Sequence, residues 1–124
     1  MAIIPTIKSG DIDRSIDFYT DVLDFRLKGR WPEVGDPAFA TLCRGSDSLY
    51  LSSHDGDGVF GQAVAVIVPQ VDPLFETFCA RGLDPTHKLH SPVHQGPVDQ
   101  AWGTRELYVD DPDGNTLRFI QPLK

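Results

Sequence analysis

The chain has 124 residues, of which 40% are hydrophobic and 23% charged, an ordinary globular composition that supports one domain with a hydrophobic core. The formal net charge of −7, without any cluster of Lys and Arg, argues against nucleic acid as a partner. No apolar run is long enough to span a membrane, no signal peptide is visible, and the two cysteines, Cys43 and Cys79, suit buried thiols in a reducing cytoplasm.

The first half of the chain predicts one amphipathic helix among four strands. The helix carries four residues on one face at helical spacing, namely Ile12, Ile16, Tyr19 and Leu23. An acidic residue before or within its first turn, Asp11 or Asp13, is expected to cap its N-terminus. The strands are predicted at residues 3–8, 25–31, 38–44 and 49–53.

A polar segment, Ser-His-Asp-Gly-Asp-Gly at residues 53–58, is predicted to link the two halves. Its Asp and Gly content also suggests a calcium loop, but the ligand spacing of an EF-hand and the flanking helices are missing. The segment is therefore interpreted as a linker.

The second half predicts another helix with strands on both sides. Asp72 is expected to be the N-cap, Pro73 the first helical residue and Gly82 the stop, with Phe75, Phe78 and Cys79 on one face. The strands are predicted at residues 63–68, 105–109 and 116–121, with a weak run near residues 87–93.

The two halves have the same order of elements. The patterns Ile-Asp-x-x-Ile-x-x-Tyr from Ile12 and Val-Asp-x-x-Phe-x-x-Phe from Val71 open the two helices and lie 59 residues apart. Each helix follows one strand and precedes up to three. The sequence therefore predicts a single α+β domain over residues 1–124, with βαβββ repeats at residues 1–54 and 60–124.

The last hairpin carries the most informative run of residues. Trp-Gly-Thr-Arg-Glu at residues 102–106 leads into a strand, and Asp-Pro-Asp-Gly-Asn at residues 111–115 is turn chemistry. This combination resembles the last hairpin of the bleomycin resistance proteins. They belong to the vicinal oxygen chelate superfamily, with glyoxalase I, fosfomycin resistance enzymes and extradiol dioxygenases. The first helix is also similar to that of the superfamily, so the resemblance covers nearly the whole chain.

The resemblance implies a cupped mixed sheet built from two βαβββ repeats, with a site in the cleft that the half-cups enclose. In bleomycin resistance proteins the cups pair across a homodimer, often with an exchanged N-terminal strand. Metal-dependent members carry a ligand on several inward-facing strand positions. The positions that match them here hold Ile4, Ala63, Tyr50 and Arg118. None of these is a usual ligand for a divalent metal, and a guanidinium repels one. We therefore expect neither a metal nor a cofactor.

Other candidates for chemistry are weak. His87, His90 and His94 have no Cys or acid at ligand spacing and are interpreted as structural or loop residues. Glu106 lies beside Arg105, and this pair is interpreted as forming a cross-strand or intersubunit salt bridge rather than supplying a general base. Cys43 has no visible activating base, and no catalytic residue is predicted.

The resemblance instead implies a ligand site lined by aromatic side chains. Phe39 and Trp102 match the residues that, in bleomycin resistance proteins, wall the groove and hold the planar part of the drug. Tyr50 lies on the fourth strand, Trp31 ends a strand before a proline, and Arg118 faces the cup. For Phe39 and Tyr50 a role in the core is the competing interpretation. Arg118 either selects an anionic ligand or pairs with a neighbouring acid.

These observations predict a metal-independent, cytoplasmic homodimer that sequesters a bleomycin-type antibiotic in an aromatic-lined dimer cleft. The acidic balance is compatible with a cationic drug, and equally with solubility alone. One alternative is a glyoxalase- or dioxygenase-class enzyme with a degenerate or rebuilt metal site. Another is a binding module for an unrelated planar metabolite. No nucleic acid and no membrane is expected as a partner.

Overall fold

The computed structural model describes residues 1–86 and 88–124 and divides them into two compact units. The first unit holds residues 1–62 and 111–115, and the second holds residues 63–110 and 116–124. His87, one of the histidines considered in the sequence, lies outside the described residues. Within the described part of the chain, no helix is long and apolar enough to cross a membrane.

The first unit contains a four-stranded mixed sheet. Its elements are β1 (Thr6–Lys8), α1 (Ile12–Asp17), a π-helical turn (Phe18–Val22), β2 (Arg26–Trp31), β3 (Phe39–Arg44) and β4 (Asp47–Ser52). The strand order is β1-β4-β3-β2. Strands β1 and β4 run parallel, and the other two pairings are antiparallel.

The strand alternation of the first sheet places its apolar residues on the face toward α1. Those buried strand residues are Ile7, Ala40, Leu42, Leu49 and Leu51. The helix and its π-helical extension contribute Ile12, Ile16, Tyr19 and Leu23, the face that the sequence predicted. Asp11 is the N-cap of α1, because its Oδ1 accepts from the backbone N–H of Arg14 at 3.2 Å. Asp13 instead bonds Arg30.

The turn at residues 111–115 is held to the rest of the first unit by polar contacts. Asn115 is 1% exposed; its Nδ2 donates to the carbonyl of Lys8 at 2.8 Å, and its Oδ1 accepts from the N–H groups of Gly61 and Gln62. The Tyr19 hydroxyl donates to Asp111 Oδ2 at 2.9 Å. Burial, followed by the nearby charge of Asp111, raises the pKa of Tyr19 well above its usual value. Asp111 is therefore a structural acceptor.

The second unit contains the second four-stranded sheet. Its elements are β5 (Ala63–Ile67), α2 (Val71–Ala80), α3 (Pro92–Gln95), β6 (Val98–Asp99), β7 (Thr104–Asp110) and β8 (Thr116–Pro122). The strand order is β5-β8-β7-β6, with β5 parallel to β8 and the other pairs antiparallel. One face packs on α2, where the rings of Phe78 and Phe119 lie 5.2 Å apart.

The element order confirms the α+β class and the two βαβββ units. The boundaries assigned to the repeats, residues 1–54 and 60–124, stay a prediction. Gly82 adopts a φ of 111° after α2. The N–H of Leu83 bonds back to the carbonyl of Phe78, so the predicted stop is confirmed.

Two local predictions for the second unit were wrong. The N-cap of α2 is Gln70 and not Asp72, so Val71 is the first helical residue and Pro73 lies within the first turn. The earlier start is favoured because Val71 is fully buried and its N–H bonds the side chain of Gln121. The weak strand near residues 87–93 is absent from the described residues. Pro92 begins the short helix α3 there, and β6 follows at Val98.

Candidate ligand-binding surfaces

Each sheet has a second face, opposite the one that packs on its helix. On the second sheet this open face is defined by alternation with the buried residues Leu107, Val109, Leu117 and Phe119. It comprises Ala63, Ala65, Ile67, Glu106, Tyr108, Asp110, Thr116, Arg118 and Ile120. Ala65, Arg118 and Tyr108 are neighbours across three strands, and two of them, Ala65 and Arg118, are exposed.

Glu106 is the buried polar centre of the second open face. Its residue is 4% exposed. The carboxylate accepts from Trp102 Nε1 at 3.0 Å, from Thr104 Oγ1 at 2.5 Å and from the Tyr108 hydroxyl at 3.2 Å. Burial raises the pKa of Glu106, but these hydrogen bonds and the charge of Arg118 outweigh it, so the pKa lies below its ordinary value. Glu106 is thus an ionised acceptor and a poor general base at neutral pH.

Trp102 lies in the turn before β7, with 68% of its surface exposed. The following residue, Gly103, has a φ of 93°, a conformation that side chains disfavour. Because the indole N–H is bonded to the buried Glu106, the ring is anchored at its polar edge while much of its apolar surface meets solvent. Such a ring can stack on a flat ligand without first being ordered.

Arg118 and Tyr108 form a cation–π pair on the same face. The guanidinium carbon lies 4.9 Å from the centroid of the Tyr108 ring. Tyr108 was not singled out in the sequence, although it follows Glu106 at a spacing of two. That spacing was the available signal, since residues i and i+2 of a strand share a face.

The cross-strand salt bridge favoured for the pair Arg105 and Glu106 forms at Arg105 but, among the described residues, not at Glu106, because adjacent strand residues point to opposite faces. Arg105 bonds both carboxylate oxygens of Asp72, each at 2.9 Å, and also Asp99, its cross-strand neighbour. The hydrogen bonds from Arg105 lower the pKa of Asp72. Arg105 therefore joins α2 and β6 to β7.

A second polar group surrounds Asp110 at the end of β7. Its carboxylate pairs with Lys88 Nζ at 2.6 Å, contacts His94 Nε2 at 3.0 Å and accepts from Thr116 Oγ1 at 2.8 Å. Burial raises the pKa of Asp110, and these partners more than reverse the effect, so the pKa is lowered. Among the described residues, no group of three His, Cys, Asp or Glu side chains is placed to hold a metal ion.

The open face of the first sheet is aromatic. The rings of Phe39 and Tyr50 meet edge to face with centroids 5.0 Å apart. Trp31 pairs with Phe39 across β2 and β3 and is 58% exposed. The Trp31 ring lies over Gly29, where a Cβ would come within 2.3 Å of the indole. The five predicted ligand residues thus fall into two sets, with Trp31, Phe39 and Tyr50 in the first unit and Trp102 and Arg118 in the second.

Comparisons with known proteins agree with this architecture. Residues 5–119 match the model of the Glyoxalase/Bleomycin resistance protein/Dioxygenase superfamily. A bleomycin resistance protein of Geobacillus stearothermophilus is 28% identical over 135 residues, covering 98% of this chain and 96% of the relative.

Two solved structures illustrate the shared fold. The structure of TioX from Micromonospora sp. ML1 has a TM-score of 0.76 and 26% identity, covering 99% of each chain. The bleomycin-binding protein from bleomycin-producing Streptomyces verticillus, complexed with copper(II)-bleomycin, has a TM-score of 0.71 and 23% identity. That match covers 100% of this chain and 97% of the Streptomyces verticillus protein in the structure. The second likeness shows the fold alone.

Proposed function

The chain belongs to the Glyoxalase/Bleomycin resistance protein/Dioxygenase superfamily, and from this premise we propose that it binds and sequesters a bleomycin-type antibiotic without transforming it. Sequestration requires only a surface that competes for the drug. The relative named for bleomycin resistance supports a small-molecule ligand of this kind.

The observation that carries the proposal is the anchored but exposed ring of Trp102. A Trp with 68% of its surface exposed contributes little to a core, and its bond to Glu106 limits the ordering that stacking requires. Stacking of a flat ring on this indole is worth about 0.5–1.5 kcal/mol beyond area burial. Trp31, Phe39 and Tyr50 are proposed as further ligand contacts, and Arg118 as a polar one.

The proposal has three further parts. The protein acts without a metal or cofactor, because Ile4, Ala63 and Arg118 supply no usual metal ligand at the positions of the resemblance. It acts as a homodimer whose cleft holds the drug. It works in the cytoplasm, in keeping with two free thiols, Cys43 and Cys79, neither of which forms a disulfide.

Fluorescence titration with bleomycin tests the proposal directly. In a Trp31→Phe background, Trp102 is the only indole, so its emission should change as the drug buries it. Trp102→Ala should weaken binding by about 1–3 kcal/mol, the range for losing an aromatic anchor, as measured by calorimetry. Its free energy of unfolding should fall by about 1–2 kcal/mol, because the ring is largely exposed but Glu106 loses one of its three donors. Bleomycin affinity should be the same with and without EDTA.

Trp102→Phe is the matched control, since it keeps a stacking ring but loses the bond to Glu106. It should bind with an affinity between those of the native protein and Trp102→Ala. A Trp102→Ala protein that loses about 3–5 kcal/mol of stability while its folded fraction binds bleomycin normally would make the indole a packing residue. That result, or native protein that binds no bleomycin, would contradict the proposed role.

A further inference from the structure

Arg118 has an unusual combination of a charged group held in place and hydrogen-bond donors left unused. It projects from the middle of β8 on the second open face and is exposed. Within the described part of the chain it forms a cation–π contact with Tyr108, but no ion pair and no hydrogen bond. A guanidinium has five N–H donors, so all of them remain available to a ligand.

The carboxylate that the charge of Arg118 affects, that of Glu106, already has its hydrogen-bond donors. Glu106 receives hydrogen bonds from Trp102, Thr104 and Tyr108, and Arg118 acts on it only through its charge. Asp110, the other acid on this face, pairs with Lys88 and also bonds His94 and Thr116. Neither carboxylate therefore occupies the donors of Arg118.

The surroundings of Arg118 leave room for a ligand. Its cross-strand neighbour on β5 is Ala65, and the next residue on that face is Ala63; both are small and exposed. The Tyr108 ring supports the guanidinium from the β7 side and limits its freedom. An acceptor that reaches this face therefore meets a positioned, planar set of donors, the geometry that suits the two oxygens of a carboxylate or of a phosphate.

From this arrangement we infer that Arg118 selects ligands that carry an acidic group beside a flat ring. The inference rests on the proposed binding function and narrows its ligand class, since a purely cationic drug would leave these donors unused and meet a like charge. The net charge of −7 opposes anions at long range, but screening weakens that field while a contact pair persists. Arg118 therefore selects a ligand through direct contact with its acidic group, and not through the net charge of the protein.

A matched pair of probes tests the inference, 2-naphthoate and its neutral isostere 2-naphthamide. NMR titration of the ¹⁵N-labelled protein gives the dissociation constant of each and reports the Nε–H signal of the Arg118 side chain. We expect naphthoate to bind about tenfold more tightly than naphthamide, since a charge-assisted bidentate contact exceeds a neutral one by about that much. The Arg118 signal should shift with naphthoate and stay nearly unchanged with naphthamide.

Three variants identify the source of the preference. In Arg118→Gln the two probes should bind within about twofold of each other. Arg118→Lys, which keeps the charge but loses the planar fork, should retain a preference of about threefold. Arg26→Gln, at an exposed position at the start of β2, removes the same charge and should keep the full tenfold preference.

The outcomes separate this inference from the proposed function. If bleomycin binds but the two naphthalene probes bind equally, or neither binds, the role of Arg118 in selection is wrong and sequestration stands. If naphthoate is preferred through Arg118 but bleomycin does not bind, the selection stands and the bleomycin assignment fails. A preference that survives in Arg118→Gln also overturns the inference.

Discussion

Glu106 shows how one buried charge can organise a binding surface. Its carboxylate orients the indole of Trp102 and the hydroxyl of Tyr108, and Tyr108 in turn supports Arg118. A single ionised side chain therefore connects both predicted ligand residues of the second unit. Burying that charge is tolerated because three donors compensate for the lost water.

The lowered pKa of Glu106 makes a prediction about acid stability. Because its pKa is lower in the folded chain than in the unfolded one, its stabilising contribution is complete above the unfolded value of about 4.5. That contribution is lost as the pH falls through the folded pKa. Glu106→Gln should lower the free energy of unfolding at pH 7 by about 2 kcal/mol. It should also flatten the decline of stability below pH 4.5, as measured by urea unfolding across pH.

Glu76→Gln is the matched control for Glu106→Gln, since this glutamate is exposed on α2. Its stability should follow that of the native protein at every pH. If the free energy of unfolding of Glu106→Gln declined below pH 4.5 as steeply as that of the native protein, Glu106 would be protonated at neutral pH or only weakly bonded.

At the scale of an element, the turn at residues 111–115 is likewise organised by one buried polar side chain, that of Asn115. The sequence identifies it as a turn from its Pro, Gly and Asx residues, and Gly114 indeed has a φ of 81°. Its long-range role could not be predicted, because the partners of Asn115 are backbone groups at Lys8, Gly61 and Gln62. A hydrogen bond to a backbone group does not depend on the residue type of the partner, so the sequence pattern does not indicate it.

Removing the Asn115 side chain should therefore be costly. Asn115→Ala leaves the Lys8 carbonyl and two backbone N–H groups without their partner in a partly buried site. Each buried group left unsatisfied costs about 1–3 kcal/mol, and partial access of water limits the sum, so we expect a loss of about 2–4 kcal/mol. Chemical denaturation with matched m-values measures it.

Asp113→Ala in the same turn provides the comparison. The side chain of Asp113 is 6% exposed but pairs with Arg14, whose side chain is half exposed, and accepts from the Gly10 N–H, so its loss should cost about 1–2 kcal/mol, less than that of Asn115. Its bond to Ser15 adds a modest share. Equal losses for Asn115→Ala and Asp113→Ala would show that the turn is held by its shape rather than by the Asn115 contacts.

Helix and strand boundaries divide into those with local signals and those without. The face of α1 was predicted because its apolar residues repeat at helical spacing, and its core side is confirmed. The start of α2 was misplaced because Asp72 looks like a cap, while burial of Val71 and the hydrogen bond that its N–H donates to Gln121 Oε1 favour an earlier start. Asp72 is used instead to bind Arg105, a partner 33 residues away.

At the scale of the whole molecule, two helices with the same aliphatic-Asp opening, each followed by strands, predicted the two βαβββ units. The mixed pairing of their strands was an expectation from the resemblance to the vicinal oxygen chelate superfamily. What the pattern could not supply is the set of residues that each open face offers to a ligand. Tyr108 and Ala65, for example, become the neighbours of Arg118 only through strand register.

Exposed apolar side chains also bear on self-association. Large apolar side chains in both units remain exposed, including Ile3 at 91%, Phe60 at 56% and Ile67 at 65%. Edge strands and exposed apolar patches are the features that a second copy of a chain covers in a homodimer. We therefore expect light scattering at micromolar concentration to give twice the 13.7 kDa mass of one chain.

Binding and assembly should be coupled if the partner completes the drug cleft. Diluting the protein below its dimer dissociation constant should then weaken bleomycin binding, because the competent species becomes scarce. Saturating bleomycin should in turn favour the dimer, since a ligand stabilises the form that binds it. Sedimentation velocity with and without the drug measures this coupling, with Trp102→Ala as the control in which the drug effect should shrink. A mass of one chain at all concentrations, with undiminished bleomycin affinity, would mean that the whole binding surface lies within a single chain.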